Sequence, residues 1–110
     1  MIGFFDGIRV LDLTQGIAGP ACTKMLADWG ADVIKVEEPG EGDAARQWGP
    51  FADDQEDPDH GLTFLYLNAG KRSVTLNLAA PGAQPALEDL VRWADIEKLA
   101  EAGTIIRRRS

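Results

Sequence analysis

The sequence is poor in the features that mark disulfide-rich, secreted and membrane-spanning proteins. Its 110 residues contain one cysteine, so no internal disulfide can form, and this favours a reducing compartment such as the cytoplasm. The first residues show no basic segment followed by an apolar run, and no hydrophobic stretch is long enough to span a bilayer. We therefore expect a soluble, cytoplasmic protein with no membrane partner.

Basic residues are scarce as well. Eleven Lys and Arg stand against eighteen Asp and Glu, which gives a formal net charge of -7 and a pI near 4.5. Because such a chain is repelled by phosphate backbones and anionic lipid surfaces, we exclude nucleic acid as a partner. Half of the acidic residues lie between Glu37 and Asp59, where only Arg46 offsets them, and this favours a solvated acidic loop.

Few residues are of a type and spacing that carry chemistry. His60, the single histidine, has no partner at a motif spacing and is interpreted as a surface residue. Cys22 lies on the apolar stripe of a helix and is interpreted as an inert thiol rather than a nucleophile. Since the sequence also has no metal-ligand spacing, no serine elbow and no aspartate in a recognisable catalytic setting, we predict no catalytic residue and no metal site.

Residues 7–37 are the most informative stretch, and they predict a strand, a helix and a second strand. Residues 8–13 form a short apolar run bounded by glycines, typical of a strand buried on both faces. A helix with Pro20 in its first turn follows and stops at Gly30, and residues 33–36 form the next strand. A unit this compact predicts a parallel pair with a right-handed crossover, and hence an α/β fold.

The rest of the chain is less regular. Residues 39–59 predict a long surface loop, and residues 62–67 are a short apolar segment that is either helix or strand. Alternation over residues 73–78 predicts a third strand, and Pro81-Gly82 opens a further helix. Residues 96–102 are predicted to continue or restart a helix that stops at Gly103, and residues 107–110 form a basic tail.

The turn after the first strand resembles part of the dinucleotide-binding fingerprint G-x-G-x-x-G. Gly16 and Gly19 match its second and third glycines, whereas Thr14 stands in place of the first. Glu37 or Glu38 would then be the acid that binds the ribose. The alternative is a glycine turn needed only for tight packing of strand against helix.

A second candidate site is the segment Lys71-Arg72-Ser73, which places two cations and a hydroxyl just before the third strand. In an acidic protein, a Lys-Arg pair there suits a phosphate group. The alternative is two solvated basic residues in a turn.

Several spaced motifs occur in an order that resembles the N-terminal part of CoA-transferase family III, which includes formyl-CoA transferase and the carnitine-type CoA-transferases. The matching segments are residues 7–14, 18–20 and 26–37, Gly42-Asp43 with Arg46, Asn68, and residues 71–78. The resemblance covers about residues 5–96. Related acyl-CoA racemases share the opening, but the loop from Gly42 to Pro50 is more similar to the transferases.

The resemblance implies a Rossmann-like parallel-sheet half-domain that binds coenzyme A as part of an acyl-CoA substrate. Ile17 and Ala18 would offer backbone groups to coenzyme A, and Lys71, Arg72 and Ser73 would hold its nucleotide end. In this family two chains interlock, and an aspartate that lies beyond the reach of this chain attacks the acyl-CoA. A homodimer, or association with a full-length homologue, is therefore an expectation.

The sequence departs from the family at two places. Glu38 stands where some transferases have an arginine that contacts coenzyme A, and residues 97–105 resemble the extreme C-terminus of the family rather than the segment expected there. We therefore divide the chain into a transferase segment, residues 1–96, and a short C-terminal helix with a basic tail, residues 97–110. The expected protein is a truncated CoA-transferase that is inactive alone. The alternatives are a non-catalytic nucleotide- or CoA-binding module and a racemase-type relative.

Overall fold

A computed structural model describes residues 3–100 and 104–108 of the chain. In chain order the elements are β1 (Arg9–Asp12), α1 (Ala18–Asp28), β2 (Asp32–Glu37), α2 (Leu62–Leu67), β3 (Arg72–Thr75), α3 (Gln84–Trp93), β4 (Ile96–Ala100) and β5 (Thr104–Arg108). Short 3₁₀ helices lie at Ala44–Gln47, Ala52–Asp54 and Pro81–Ala83. None of the helices among the described residues is both long and apolar enough to cross a membrane.

The five strands form one sheet in the order β3-β2-β1-β4-β5. The first four strands are parallel, and β5 runs antiparallel to β4. In register, Asp12 of β1 lies beside Lys35 of β2, which lies beside Ser73 of β3. The order 3-2-1-4 is that of a Rossmann-like half-domain, and the predicted α/β fold is confirmed.

The two faces of the sheet carry separate apolar clusters because strand side chains alternate between faces. On the α1 face, Val10 and Val33 pack with Leu26 of the helix. On the α3 face, Leu11 and Val36 pack with residues that include Leu90 of α3. Buried charged residues continue the α1 face toward the carboxyl ends of the strands, namely Asp12, Lys35 and Glu37.

Most of the predicted elements are present, and the ambiguous segment at residues 62–67 is a helix. The helix predicted over residues 96–102 is wrong within the described residues, because Ile96–Ala100 is a strand and Thr104–Arg108 pairs with it. The strand forms because this segment pairs with a part of the chain that is distant in sequence. β1 has an edge facing away from β2, and parallel pairing of Val10 with Ile96 satisfies backbone groups that a short helix would leave exposed. The predicted stop at Gly103 lies outside the described residues.

Candidate functional site

The candidate site is the turn between β1 and α1. Gly16 has a φ of +83°, a conformation that side-chain-bearing residues rarely adopt. At Gly19 an added Cβ would lie 2.3 Å from Thr14 Cβ, so only glycine lets the helix start this close to the turn. The two glycines are thus needed for different reasons, one for backbone conformation and one for close approach.

The turn leaves backbone donors free at the amino end of α1. The N–H groups of Ile17, Ala18 and Gly19 donate to no acceptor in residues 3–100, and Pro20 has no N–H to offer. Ile17 and Ala18 are exposed, whereas Gly19 is buried. Together with the positive end of the helix dipole, these donors form a surface suited to an anionic group.

A buried ion pair lies beneath the turn. Lys71 Nζ donates to Asp12 Oδ2 at 3.0 Å, and the two side chains are 1% and 0% exposed. Lys71 Nζ also donates to Asn68 Oδ1 at 2.8 Å and to the carbonyl of Pro20, in the first turn of α1, at 3.1 Å. Because an ammonium has three protons, these three acceptors use the whole donor capacity of Lys71.

Both carboxylate oxygens of Asp12 accept hydrogen bonds. Its Oδ1 accepts from the backbone N–H and the hydroxyl of Thr14, and its Oδ2 accepts from the hydroxyl of Thr23 at 2.7 Å. Burial acts to raise the pKa of Asp12, but the ammonium groups of Lys35 and Lys71 and these hydroxyls together hold the pKa below its ordinary value. Asp12 is therefore an ionised carboxylate that fixes the start of the turn to the first helix.

A second buried pair holds the other side of the turn. Lys35 Nζ lies 2.7 Å from Asp43 Oδ2 and donates to the carbonyl of Thr14 at 3.0 Å. Asp43 Oδ2 makes no hydrogen bond of good geometry with the residues that the structure describes, so its contact with Lys35 is an ion pair. Asp43 Oδ1 accepts from the N–H of Gly16 at 3.0 Å and from the N–H of Ala45 at 2.8 Å.

Glu37 and Arg46 anchor the acidic loop to β2. The guanidinium of Arg46 donates to both carboxylate oxygens of Glu37 at 2.7 Å, and Glu37 Oε2 also accepts from the N–H of Asp43 at 2.7 Å. Burial acts to raise the pKa of Glu37, but the hydrogen bonds from Arg46 and Asp43 outweigh it and lower that pKa. Glu37 has both oxygens engaged, which is not what a ribose-binding acid requires, whereas Glu38 is exposed.

Lys71, Arg72 and Ser73 were expected to hold one end of coenzyme A together, but the structure separates their side chains. Lys71 is buried beneath the turn, whereas Arg72 lies on the α3 face, 5.7 Å from the ring centre of Trp93, and pairs with Asp32. Ser73 lines a small cavity that includes acidic side chains. These residues therefore form no basic pair beside the turn, and their individual contacts with coenzyme A stay predictions.

The structure also places Cys22 and His60, for which the sequence predicts no catalytic role, and Trp48, which lies near the turn. The ring of Trp48 lies 3.6 Å from where a Cβ of Gly16 would be, so it covers the outer side of the turn. Cys22 is half-buried on α1. His60 is half-buried with its Nδ1 3.5 Å from Asp57 Oδ1.

The sequence reasoning missed the importance of Asp12, Lys35 and Asp43. The available signals were two charged residues inside strands that otherwise read as buried, and the aspartate of the Gly42-Asp43 motif. A charge in a doubly buried strand is rarely tolerated unless it is paired, so its presence indicates a partner elsewhere in the chain.

Comparison with known proteins shows what this arrangement is similar to. Residues 5–99 match the family model of CoA-transferase family III. A succinyl-CoA:mesaconate CoA-transferase from Haloarcula marismortui is 50% identical over 95 residues, which are 86% of this chain and 24% of that protein. A formyl-CoA:oxalate CoA-transferase from Rhodopseudomonas palustris is 46% identical over 91 residues, which are 83% of this chain and 20% of that protein.

Solved structures agree with this similarity. A hypothetical protein from Mycobacterium tuberculosis superposes with a TM-score of 0.73 at 41% identity, covering 86% of this chain and 24% of that one. A CAIB/BAIF family protein from Brucella suis gives a TM-score of 0.75 at 36% identity, covering 88% and 25%. The chain thus spans about a quarter of the length of the proteins that it matches.

Proposed function

Because the chain belongs to CoA-transferase family III, we propose that its β1–α1 turn binds the pyrophosphate of coenzyme A. The observation that carries the proposal is the set of free N–H groups on Ile17, Ala18 and Gly19 at the amino end of an eleven-residue helix. Backbone donors at such a position, backed by the helix dipole, are a common way of binding phosphate groups. The segment Ile17–Pro20 contains no acidic residue that would repel a phosphate group.

Two buried ion pairs support these donors from below. Asp12 with Lys71 and Lys35 with Asp43 balance one another in charge, so they hold the turn without placing a net charge beneath the ligand. In this proposal Lys71 acts indirectly, by fixing Asp12 and the carbonyl of Pro20, and not by touching phosphate. The direct contacts come from the backbone of Ile17 and Ala18.

Group transfer itself needs more than the residues described. The family reaction moves coenzyme A from an acyl-CoA to a carboxylic acid, and the resemblance assigns the attack on the acyl group to an aspartate outside this chain. The two buried aspartates closest to the turn, Asp12 and Asp43, are at most 1% exposed and are engaged by ammonium groups, so neither is available as a nucleophile. We propose that the 110-residue chain binds coenzyme A but does not transfer it.

Amide spectra of the isotopically labelled chain test this proposal. Coenzyme A and ADP are expected to shift the signals of Ile17, Ala18 and Gly19, because both carry a pyrophosphate. NAD carries one as well, and because Arg46 already holds Glu37, no free acid is offered there to an adenosine ribose, so NAD is expected to bind no more tightly than ADP. The absence of any shift at the turn would refute the proposal.

Two further measurements test a direct contact between Arg72 and coenzyme A and the proposed lack of transfer activity. If Arg72→Met weakens binding of coenzyme A, the direct cation contact expected from the sequence is correct, in spite of the position of Arg72 on the α3 face. Turnover of an acyl-CoA and a carboxylic acid by the purified chain would contradict its proposed inactivity.

We further propose that the chain works in the cytoplasm and associates with a second copy or with a full-length homologue. Large exposed apolar side chains on α1 and α2, and one at the residue that follows α1, support this, namely Met25, Leu62, Leu65, Tyr66 and Trp29. Size-exclusion chromatography that shows only a monomer at all concentrations, and with the homologue added, would contradict it.

A further inference from the structure

We infer that Asp43 is a positioning residue for the β1–α1 turn, which aims the N–H groups of Ile17 and Ala18 at the ligand by holding the N–H of Gly16. The inference rests on the proposed coenzyme A site and adds to it a residue from the acidic loop. Asp43 lies 27 positions from Gly16 in sequence, and its Oδ1 accepts from Gly16 at 3.0 Å.

The contact holds a residue whose backbone conformation affects the direction of the turn. Gly16 has a positive φ, and a rotation there would swing every following N–H away from its present direction. The residue two positions earlier is held as well, because Lys35 donates to the carbonyl of Thr14 at 3.0 Å. Lys35 Nζ and Asp43 Oδ2 are 2.7 Å apart, so this buried ion pair holds the turn at two points, the carbonyl of Thr14 and the N–H of Gly16.

Asp43 is itself held in place. Its N–H donates to Glu37 Oε2 at 2.7 Å, and Arg46 fixes Glu37 through two further hydrogen bonds. The Gly16 contact therefore links the turn to a part of the loop that is hydrogen-bonded to β2.

Capping alone does not explain the choice of aspartate at this position. Asp43 caps the 3₁₀ helix Ala44–Gln47 by accepting from the N–H of Ala45, a role that serine performs about equally well at helix starts. Reaching Gly16 at the same time requires the longer side chain of Asp or Asn. A buried ion pair of this kind seldom adds stability compared with apolar residues, so a geometric role is the better explanation of the pair.

Two double variants of the whole chain test the inference. Both carry Lys35→Met, which removes the ammonium that would otherwise be left unpaired. The first adds Asp43→Asn and keeps an acceptor for both Gly16 and Ala45. The second adds Asp43→Ser and keeps the cap for Ala45 but is one bond too short to reach Gly16. Thermal unfolding checks that both are folded.

Coenzyme A should bind the asparagine variant at least about tenfold more tightly than the serine variant, as expected for loss of one well-placed hydrogen bond in a buried network. Hydrogen exchange of the Gly16 amide should be slow in the asparagine variant and fast in the serine variant. Equal affinities together with equal exchange rates would overturn the inference.

Amide hydrogen exchange of the unmodified chain provides a test that requires no substitution. Without ligand, the Gly16 amide should exchange more slowly than those of Ile17 and Ala18, which have no acceptor among the described residues. Fast exchange at Gly16 would overturn the inference even if a variant failed to fold. If the unmodified chain shows no response to coenzyme A, the proposed function fails and the inference fails with it. If the unmodified chain responds normally to coenzyme A but the two variants have equal affinities and equal exchange rates at Gly16, the inference alone is overturned.

Discussion

Replacing Lys71 by methionine should strongly destabilise the chain, whereas the same change at the neighbouring Arg72 should have little effect. The Lys71 ammonium is buried and holds Asp12, whose carboxylate is 0% exposed. Removing one partner of a buried pair leaves an uncompensated charge and costs about 3–5 kcal/mol. The pair of Arg72 with Asp32 is exposed, with side chains 62% and 46% accessible, and such pairs contribute about 0–1 kcal/mol.

The size of this effect matters because small domains have a total free energy of unfolding of about 5–15 kcal/mol. Lys71→Met should therefore lower the midpoint of urea unfolding, followed by far-UV circular dichroism at pH 7, far more than Arg72→Met does. Adding Asp12→Asn to Lys71→Met should cost less than the sum of the two single changes, because both buried charges are then absent. If Lys71→Met is no more destabilising than Arg72→Met, the structural role assigned to Lys71 is wrong.

Two further predictions follow from the same site. Folding lowers the pKa values of Asp12 and Glu37, so both carboxylates stabilise the folded state when they are ionised. This contribution to the free energy of unfolding is fully present above the ordinary carboxylate pKa of about 4 and is lost as the pH falls through the folded-state pKa values. The urea midpoint should drop between pH 5 and pH 2, and an unchanged midpoint would contradict this. Gly19→Ala should cost about 1–3 kcal/mol, because its Cβ would collide with Thr14, whereas Gly82→Ala, which meets nothing within 4 Å, is the matched control for thermal unfolding.

The elements whose hydrophobic periodicity is contained within one short segment could be predicted from the sequence. The run of apolar residues, glycine turn and helical stripe over residues 7–37 predicted β1, α1 and β2 because each element carries its own periodicity. The position of the turn, with Ile17 and Ala18 at the amino end of the helix, followed from Gly16 and Pro20.

Contacts between distant residues were not predictable in this way. Lys71 and Arg72 are adjacent and chemically similar, yet Lys71, just before β3, meets Asp12, whereas Arg72, the first residue of β3, meets Asp32. Only the register of β3 against β2 decides which cation is buried. The strand at Ile96–Ala100 is a similar case, since its sequence is compatible with a helix and the open edge of β1 decides its conformation.

The acidic character of the chain need not oppose binding of a polyanion. The four charged groups beneath the turn, Asp12, Lys35, Asp43 and Lys71, sum to zero. The excess of negative charge lies mainly in residues 37–59, where most of the acidic side chains are exposed and therefore screened by salt more strongly than the buried pairs. We therefore expect the N–H groups at the amino end of α1 to be the main influence on a bound anion. A chain with a net charge of -7 can thus offer backbone N–H groups to a phosphate without relying on basic side chains at the turn.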